Sequence, residues 1–141
     1  MDQTAPEFAS VILTAPDGRY ILQLRDDKPG IVDPGKLSLF ASRLQDGETP
    51  NSAALRTLLE EASIGLSEDK LKFYARFEKN PARHHGAGAS HVFVATIPVD
   101  PAQITVHQGQ GYRLVTPNEL QESQTASITY DILRQYLADN A

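Results

Sequence analysis

Apolar and polar positions recur with two different periods along this chain, and the change of period divides it into elements. The opening FASVILTAPDGRYILQLRDD reads as two strands joined at APDG, where Pro, Asp and Gly suit a tight turn. On the second strand Tyr20, Leu22 and Leu24 share one face, while Ile21, Gln23 and Arg25 share the other. A loop, DKPGIVDPGK, is punctuated by Pro-Gly pairs, and LSLFASRL follows as a third strand candidate. TPNSAALRTLLEEAS then turns helical: Thr49 can cap, Pro50 fits the first helical position, and Ala54, Leu55, Leu58, Leu59 and Ala62 form an apolar stripe. LKFYARFEK alternates, with Leu71, Phe73, Ala75 and Phe77 set against Lys72, Tyr74, Arg76 and Glu78. HVFVATI is apolar throughout, as a central strand covered on both faces would be. Thr116-Pro117-Asn118-Glu119 is a capping box opening a short helix, and SITYDILRQYLADN sets Ile128, Ile132, Leu133, Tyr136 and Leu137 on one helical face. Strands, helix, strands, helix is the order of a mixed sheet flanked by helices.

The first helix carries more than packing residues. Its stripe of Leu55, Leu58, Leu59 and Ala62 is expected to face inward, which turns Arg56, Thr57, Glu60, Glu61 and Ser63 toward solvent or a cleft. Arg56 and Glu60 are one turn apart, as are Thr57 and Glu61. Glu60 and Glu61 sit in the last turn, where the helix dipole disfavours anions by roughly 0.3–1 kcal/mol. A divalent cation would offset that cost, because clustered carboxylate oxygens are what Mg²⁺ prefers. Adjacent glutamates on an exposed helix are also ordinary surface chemistry, so the residues alone leave both readings open.

Composition narrows the class. The 141 residues fit one domain with a single core, residues 1–141, and 40% hydrophobic residues are enough to pack it. The formal charge of -5 and the lack of a Lys/Arg run argue against a nucleic-acid duplex or a membrane surface as partner, while a few placed cations could still hold a small anion. With no cysteine there are no disulfides, thiolate metal sites or cysteine nucleophiles. The start MDQTAPEF has neither a basic region nor an apolar run, and no apolar segment approaches the roughly 20 residues of a membrane span, so a cytoplasmic protein is expected.

The stretch SRLQDGETPNSAALRTLLEEASI, residues 42–64, resembles the Nudix box: Gly, five residues, Glu, seven residues, then Arg-Glu-apolar-any-Glu-Glu-any-Gly-apolar. The first Glu falls on Glu48, the Arg on Arg56, the apolar position on Leu58, the paired glutamates on Glu60 and Glu61, and the last apolar residue on Ile64, without a gap. DPGKLSLFAS is similar to the family's strand running into Gly-Gly, and VHQGQGYRLVTPNEL to its late segment preceding a short helix. The resemblance implies an α/β/α sandwich with a mixed β-sheet between helices. It also implies a hydrolase that cleaves the phosphoanhydride of a nucleoside diphosphate linked to another moiety. Mg²⁺ or Mn²⁺ would be the cofactor, with Glu60 and Glu61 as metal ligands. Glu48 and Arg56 would act as a structural pair within the catalytic set.

This chain departs from the family at specific places. Ala41 and Ser42 stand where glycines are usual, Thr57 replaces the Glu after the Arg, Ser63 replaces the Gly near the helix end, and Gln108 stands for a frequent late acidic residue. A hydroxyl is a poor Mg²⁺ ligand beside a carboxylate and cannot serve as a base near neutral pH. The expectation is therefore reduced or altered hydrolysis with weak metal binding. The alternative is a catalytically inactive domain of this fold that binds a nucleotide or a protein partner.

Other candidates are secondary. Arg25 and Arg43 could reach a ligand's phosphates or be merely exposed. PARHHGAGASH offers Arg83, His84, His85 and His91 as phosphate contacts or imidazole ligands, against a solvated hairpin loop as the favoured reading. Tyr74 and Tyr112 could stack on a base, though isolated aromatics usually pack. Substrate identity and oligomeric state are left open by these residues.

Overall fold

The computed structural model describes residues 5–97, 104–106 and 109–140. Its strands are β1 (Glu7–Thr14), β2 (Tyr20–Leu24), β3 (Leu37–Ser38), β4 (Phe40–Arg43), β5 (Lys72–Glu78), β6 (Ala89–Thr96) and β7 (Tyr112–Val115). Two α-helices, α1 (Pro50–Ala62) and α2 (Ser127–Asp139), complete the frame. The strands form one mixed sheet in the order β3-β2-β1-β6-β5, with β4 on β1 and β7 on β2. Among the described strands β1 and β6 are the parallel pair, in register from Glu7↔Ala89 to Thr14↔Thr96. No helix among the described residues is long and apolar enough to cross a membrane.

Alternation along the central strands builds two cores. Ala9, Val11 and Leu13 of β1 and Phe93 and Ala95 of β6 pack with Ala53, Ala54, Leu58 and Ala62 of α1. The intervening Ile12 and Val92 pack with Ile132 and Leu133 of α2, joined by Tyr20, Leu22 and Val115. The period of two in a strand sends successive side chains to opposite faces, so each helix covers one face of the sheet. This is the expected α/β/α sandwich. Apolar HVFVATI does form the central strand, and the capping box at Thr116 holds, with Glu119 Oε1 accepting from the Thr116 amide at 2.9 Å.

Three local expectations need correction. LSLFASRL is two strands rather than one: β3 pairs with β2, β4 pairs with β1, and the Leu39 amide between them donates to Thr129 Oγ1 of α2 at 3.1 Å. The alternation of β5 fails at a bulge between Phe73 and Ala75, which puts Tyr74 and Phe77 together on the α2 side and leaves Phe73 58% exposed. Tyr112 begins a strand that the sequence reading passed over.

The split of the third strand opens the sheet. Phe8–Val11 pair with β4, whereas the β1–β2 ladder is recorded at Thr14↔Tyr20. A pocket forms where β1 changes partner, between the ends of β2, β3 and β4.

Candidate functional site

The pocket encloses about 390 Å³, within the range of small-ligand sites. Its floor is polar: Ser10 and Ser90 share a hydrogen bond, Thr129 comes from α2, and Ser38 Oγ is buried without any partner. An unsatisfied buried hydroxyl costs about 1–3 kcal/mol. The walls carry Arg25, Arg43, Lys79 and His85, with Glu61 from the last turn of α1.

The box helix starts as its sequence predicts. Thr49 Oγ1 accepts from the Ser52 amide at 3.2 Å, and Pro50 takes the first turn. It ends at Ser63, which adopts the left-handed conformation at φ 56° while its amide and that of Ile64 return to Leu59 and Leu58 carbonyls. This is the position where a glycine would be free of strain.

The helix is turned relative to its hydrophobic stripe. Thr57 is fully buried and Glu61 only 6% exposed, while Leu59 is 59% exposed. The inward face is therefore Ala53, Ala54, Thr57, Leu58, Glu61 and Ala62, and the expectation that Leu59 packs and Thr57 opens to solvent is overturned. The cause is β4, which approaches α1 from the Thr57 side. Thr57 Oγ1 donates to the Ala53 carbonyl at 2.7 Å and meets the Ser42 hydroxyl.

Glu48 and Arg56 are joined through two hydrogen bonds, Nε to Oε2 at 2.7 Å and Nη2 to Oε1 at 2.9 Å. Glu48 Oε1 also accepts from the Gln45 amide at 2.9 Å, and Arg56 reaches the Arg43 carbonyl at 3.1 Å. Arg56 thus ties the loop before the helix to the edge of β4. These bonds from Arg56 hold the Glu48 carboxyl down at about 2.

Glu60 and Glu61 are adjacent in sequence and separate in environment. Glu60 is exposed on the outer face and accepts from Arg56 Nη1 at 3.2 Å. Glu61 faces the pocket, and burial, with the Glu60 charge added, raises its carboxyl to about 7. Among the described residues no group of three or more His, Cys, Asp or Glu side chains is assembled to hold a metal ion. Thr57 is buried and committed to two hydrogen bonds, Glu60 turns outward to Arg56 and Glu61 faces the pocket, so the side chains of α1 as they stand do not converge on one Mg²⁺ or Mn²⁺ position.

Of the remaining candidates, Arg25 and Arg43 do line the pocket, Arg25 steadied by its Nε bond to the Val32 carbonyl at 2.7 Å. His85 lines it too. His84 does not: it is buried, its Nδ1 accepts from the Asn80 amide at 2.9 Å, and Nε2 meets Asp131 of α2 at 2.7 Å. Arg83 binds the same carboxylate at 2.6 Å and 2.8 Å and Glu122 at 2.6 Å, so the hairpin loop, exposed over most of its length as favoured, is also tied to α2 through Arg83 and His84. His91 pairs with Glu7 Oε1 at 2.9 Å. Tyr74 packs edge to face on Tyr136, and Tyr112 lies against the α1-side core. Gln108 lies outside the described residues.

Lys79, Ser38 and the Ser10–Ser90 pair escaped the sequence reading. Lys79 lies 4.1 Å from the Phe8 ring centroid and donates to the His85 carbonyl at 3.3 Å. Burial lowers its pKa. Nothing in a lone lysine at the end of an alternating segment marks it as a wall of a pocket.

The family model described as NUDIX domain matches residues 5–136. The chain belongs to the NUDIX domain family. No curated protein matches it. Among solved structures, a NUDIX hydrolase from Nitrosomonas europaea is 20% identical with a TM-score of 0.74, over 99% of this chain and 73% of that one. The NUDIX domain of Shewanella oneidensis NrtR, complexed with ADP ribose, is 12% identical with a TM-score of 0.78, over 99% and 91%. A bifunctional NMN adenylyltransferase/ADP ribose pyrophosphatase from Francisella tularensis, complexed with AMP and a Mn ion, is 18% identical with a TM-score of 0.74, over 99% and 43%. At these identities the likeness is one of fold.

Proposed function

We propose that this Nudix domain binds a nucleoside diphosphate linked to another moiety in the β1–β4 pocket and hydrolyses its phosphoanhydride slowly. The observation that carries the proposal is Glu61, a pocket carboxyl sharing its walls with Arg25, Arg43 and Lys79. The cations would neutralise the phosphates, and the polar floor at Ser38 would hydrogen-bond the uncharged end of the ligand. The carboxyl raised to about 7 is poised to take a proton from water near neutral pH. The water oxygen then bonds to phosphorus, the bridging P–O bond breaks, and the negative charge leaves on the second phosphate. Solved relatives of the same fold that hold ADP ribose and AMP support a nucleotide-type ligand. The divalent cation expected from the resemblance has no fitted donor set, and no step of this reaction passes through one.

A second reading, binding without turnover, is favoured by the burial of Thr57, which removes a carboxylate from the site. Incubation with a panel of nucleotide sugars, dinucleotides and nucleoside diphosphates separates the two. Release of two phosphorylated products, faster than in Glu61→Gln, is the outcome expected of the hydrolase. Binding by calorimetry with product formation no faster than in Glu61→Gln would favour the second reading. Neither binding nor turnover across the panel would remove both.

A further inference from the structure

The hydroxyls of Ser42 and Thr57 meet across the gap between β4 and α1, and the bonds around them can be directed one by one. Thr57 has a single hydroxyl proton, which goes to the Ala53 carbonyl at 2.7 Å. Ser42 must therefore be the donor in the Ser42–Thr57 contact. With its proton spent, Ser42 Oγ accepts from Arg56 Nη2 at 3.3 Å. Arg56 is in turn fixed by Glu48. Along the chain Glu48–Arg56–Ser42–Thr57–Ala53 each hydroxyl both donates and accepts, so neither is left over for another partner.

The two residues also fit each other in size. Ser42 lies in β4 opposite Ala9, and the described residues with positive φ other than glycine are Asp33 and Ser63, so position 42 does not need glycine's backbone freedom. Thr57 is fully buried, so a longer side chain there has no open solvent to extend into. A glutamate there would push a carboxylate against Ser42 Oγ, combining overpacking with a buried charge. Removing the Ser42 side chain opens the space into which that carboxylate would extend.

We infer that Ser42 and Thr57 are a matched pair that closes the cation position of the box, so that α1 holds no divalent-cation site and regains one only when both residues are changed together. This concerns ion binding alone and is independent of whether the pocket hydrolyses its ligand. Mn²⁺ titration followed by electron paramagnetic resonance of the free ion, with melting temperature read with and without Mn²⁺, tests it on the native chain, Thr57→Glu, and Ser42→Gly combined with Thr57→Glu. The expected result is no saturable site in the native chain, none in Thr57→Glu together with a lower melting temperature, and at least tenfold tighter Mn²⁺ binding than native in the double variant, whose melting temperature rises with Mn²⁺. Should Thr57→Glu not fold, Thr57→Gln, of the same length without the charge, reads the overpacking by melting temperature, and Ser42→Gly alone, expected to gain no Mn²⁺ site, is compared with the double variant in its place. A micromolar Mn²⁺ site in the native chain would overturn the inference. So would equal gain from Thr57→Glu alone, or a double variant that folds and binds no better than native.

Discussion

Arg56 grips Glu48 with two hydrogen bonds at 2.7 Å and 2.9 Å, and through the same guanidinium reaches the Arg43 carbonyl and the Ser42 hydroxyl. One side chain thereby joins the loop before α1, the helix itself and the end of β4, and the last two carry Arg43 and Glu61 of the pocket wall.

That junction predicts a stability effect specific to the fork geometry. Arg56→Lys retains the charge but cannot make parallel bonds to one carboxylate while holding two further acceptors. Urea denaturation should show the lysine variant unfolding at a lower urea concentration than native, because the surviving charge cannot replace the lost fork of bonds. A lysine variant as stable as native would deny the junction its role.

Two carboxyls predict opposite pH slopes. Glu48 is held at about 2, below its ordinary 4.5, so the unfolded chain binds more protons between those values. Its contribution to stability is present above about 4.5 and disappears as the pH falls through about 2. Glu61 is raised to about 7, so in the window from about 4.5 to 7 the folded chain binds more protons, and stability falls as pH rises. Glu61→Gln should flatten the fall between about 4.5 and 7 in a melting-temperature profile and leave the acid limb intact. An unchanged profile in that variant would argue against a buried, protonatable Glu61.

Ser63 carries the left-handed C-terminal position of α1 with a side chain. Replacing it with glycine removes a steric cost of about 1 kcal/mol and should raise the melting temperature by a few degrees. A destabilised Ser63→Gly would mean that the serine side chain contributes more than its backbone strain costs.

Ser38 supplies the one orphan hydroxyl identified among the buried polar side chains of the described residues. Ser38→Ala should stabilise the protein by about 1 kcal/mol, since it removes a buried hydroxyl that has no partner, and weaken a ligand bound in the pocket by roughly fivefold. Calorimetry and thermal melting read the two effects separately, and a variant that binds unchanged would assign Ser38 no part in recognition.

Much of this architecture was legible from local patterns. The capped helix at Thr49–Pro50, the apolar central strand and the amphipathic last helix each rest on neighbours within a few residues, and all three form as read. The box spacing likewise brought Glu48 to Arg56, because both lie on one short loop-and-helix unit. What local patterns missed were breaks in periodicity: the division of LSLFASRL at Leu39, and the bulge that carries Tyr74 to the same side as Phe77. Both depend on partners distant in sequence, Thr129 of α2 in one case and β6 in the other.

The sequence by itself determined the family, the boundaries of the two α-helices and which carboxylates the first of them carries. Only the tertiary structure decided where those groups point. A helix's own periodicity cannot say from which side a strand will approach it, and β4 comes to α1 at Thr57 rather than at Leu59. That choice buries Thr57 against Ser42, turns Glu61 into a pocket shared with Arg25, Arg43 and Lys79, and leaves Glu60 outside with Arg56.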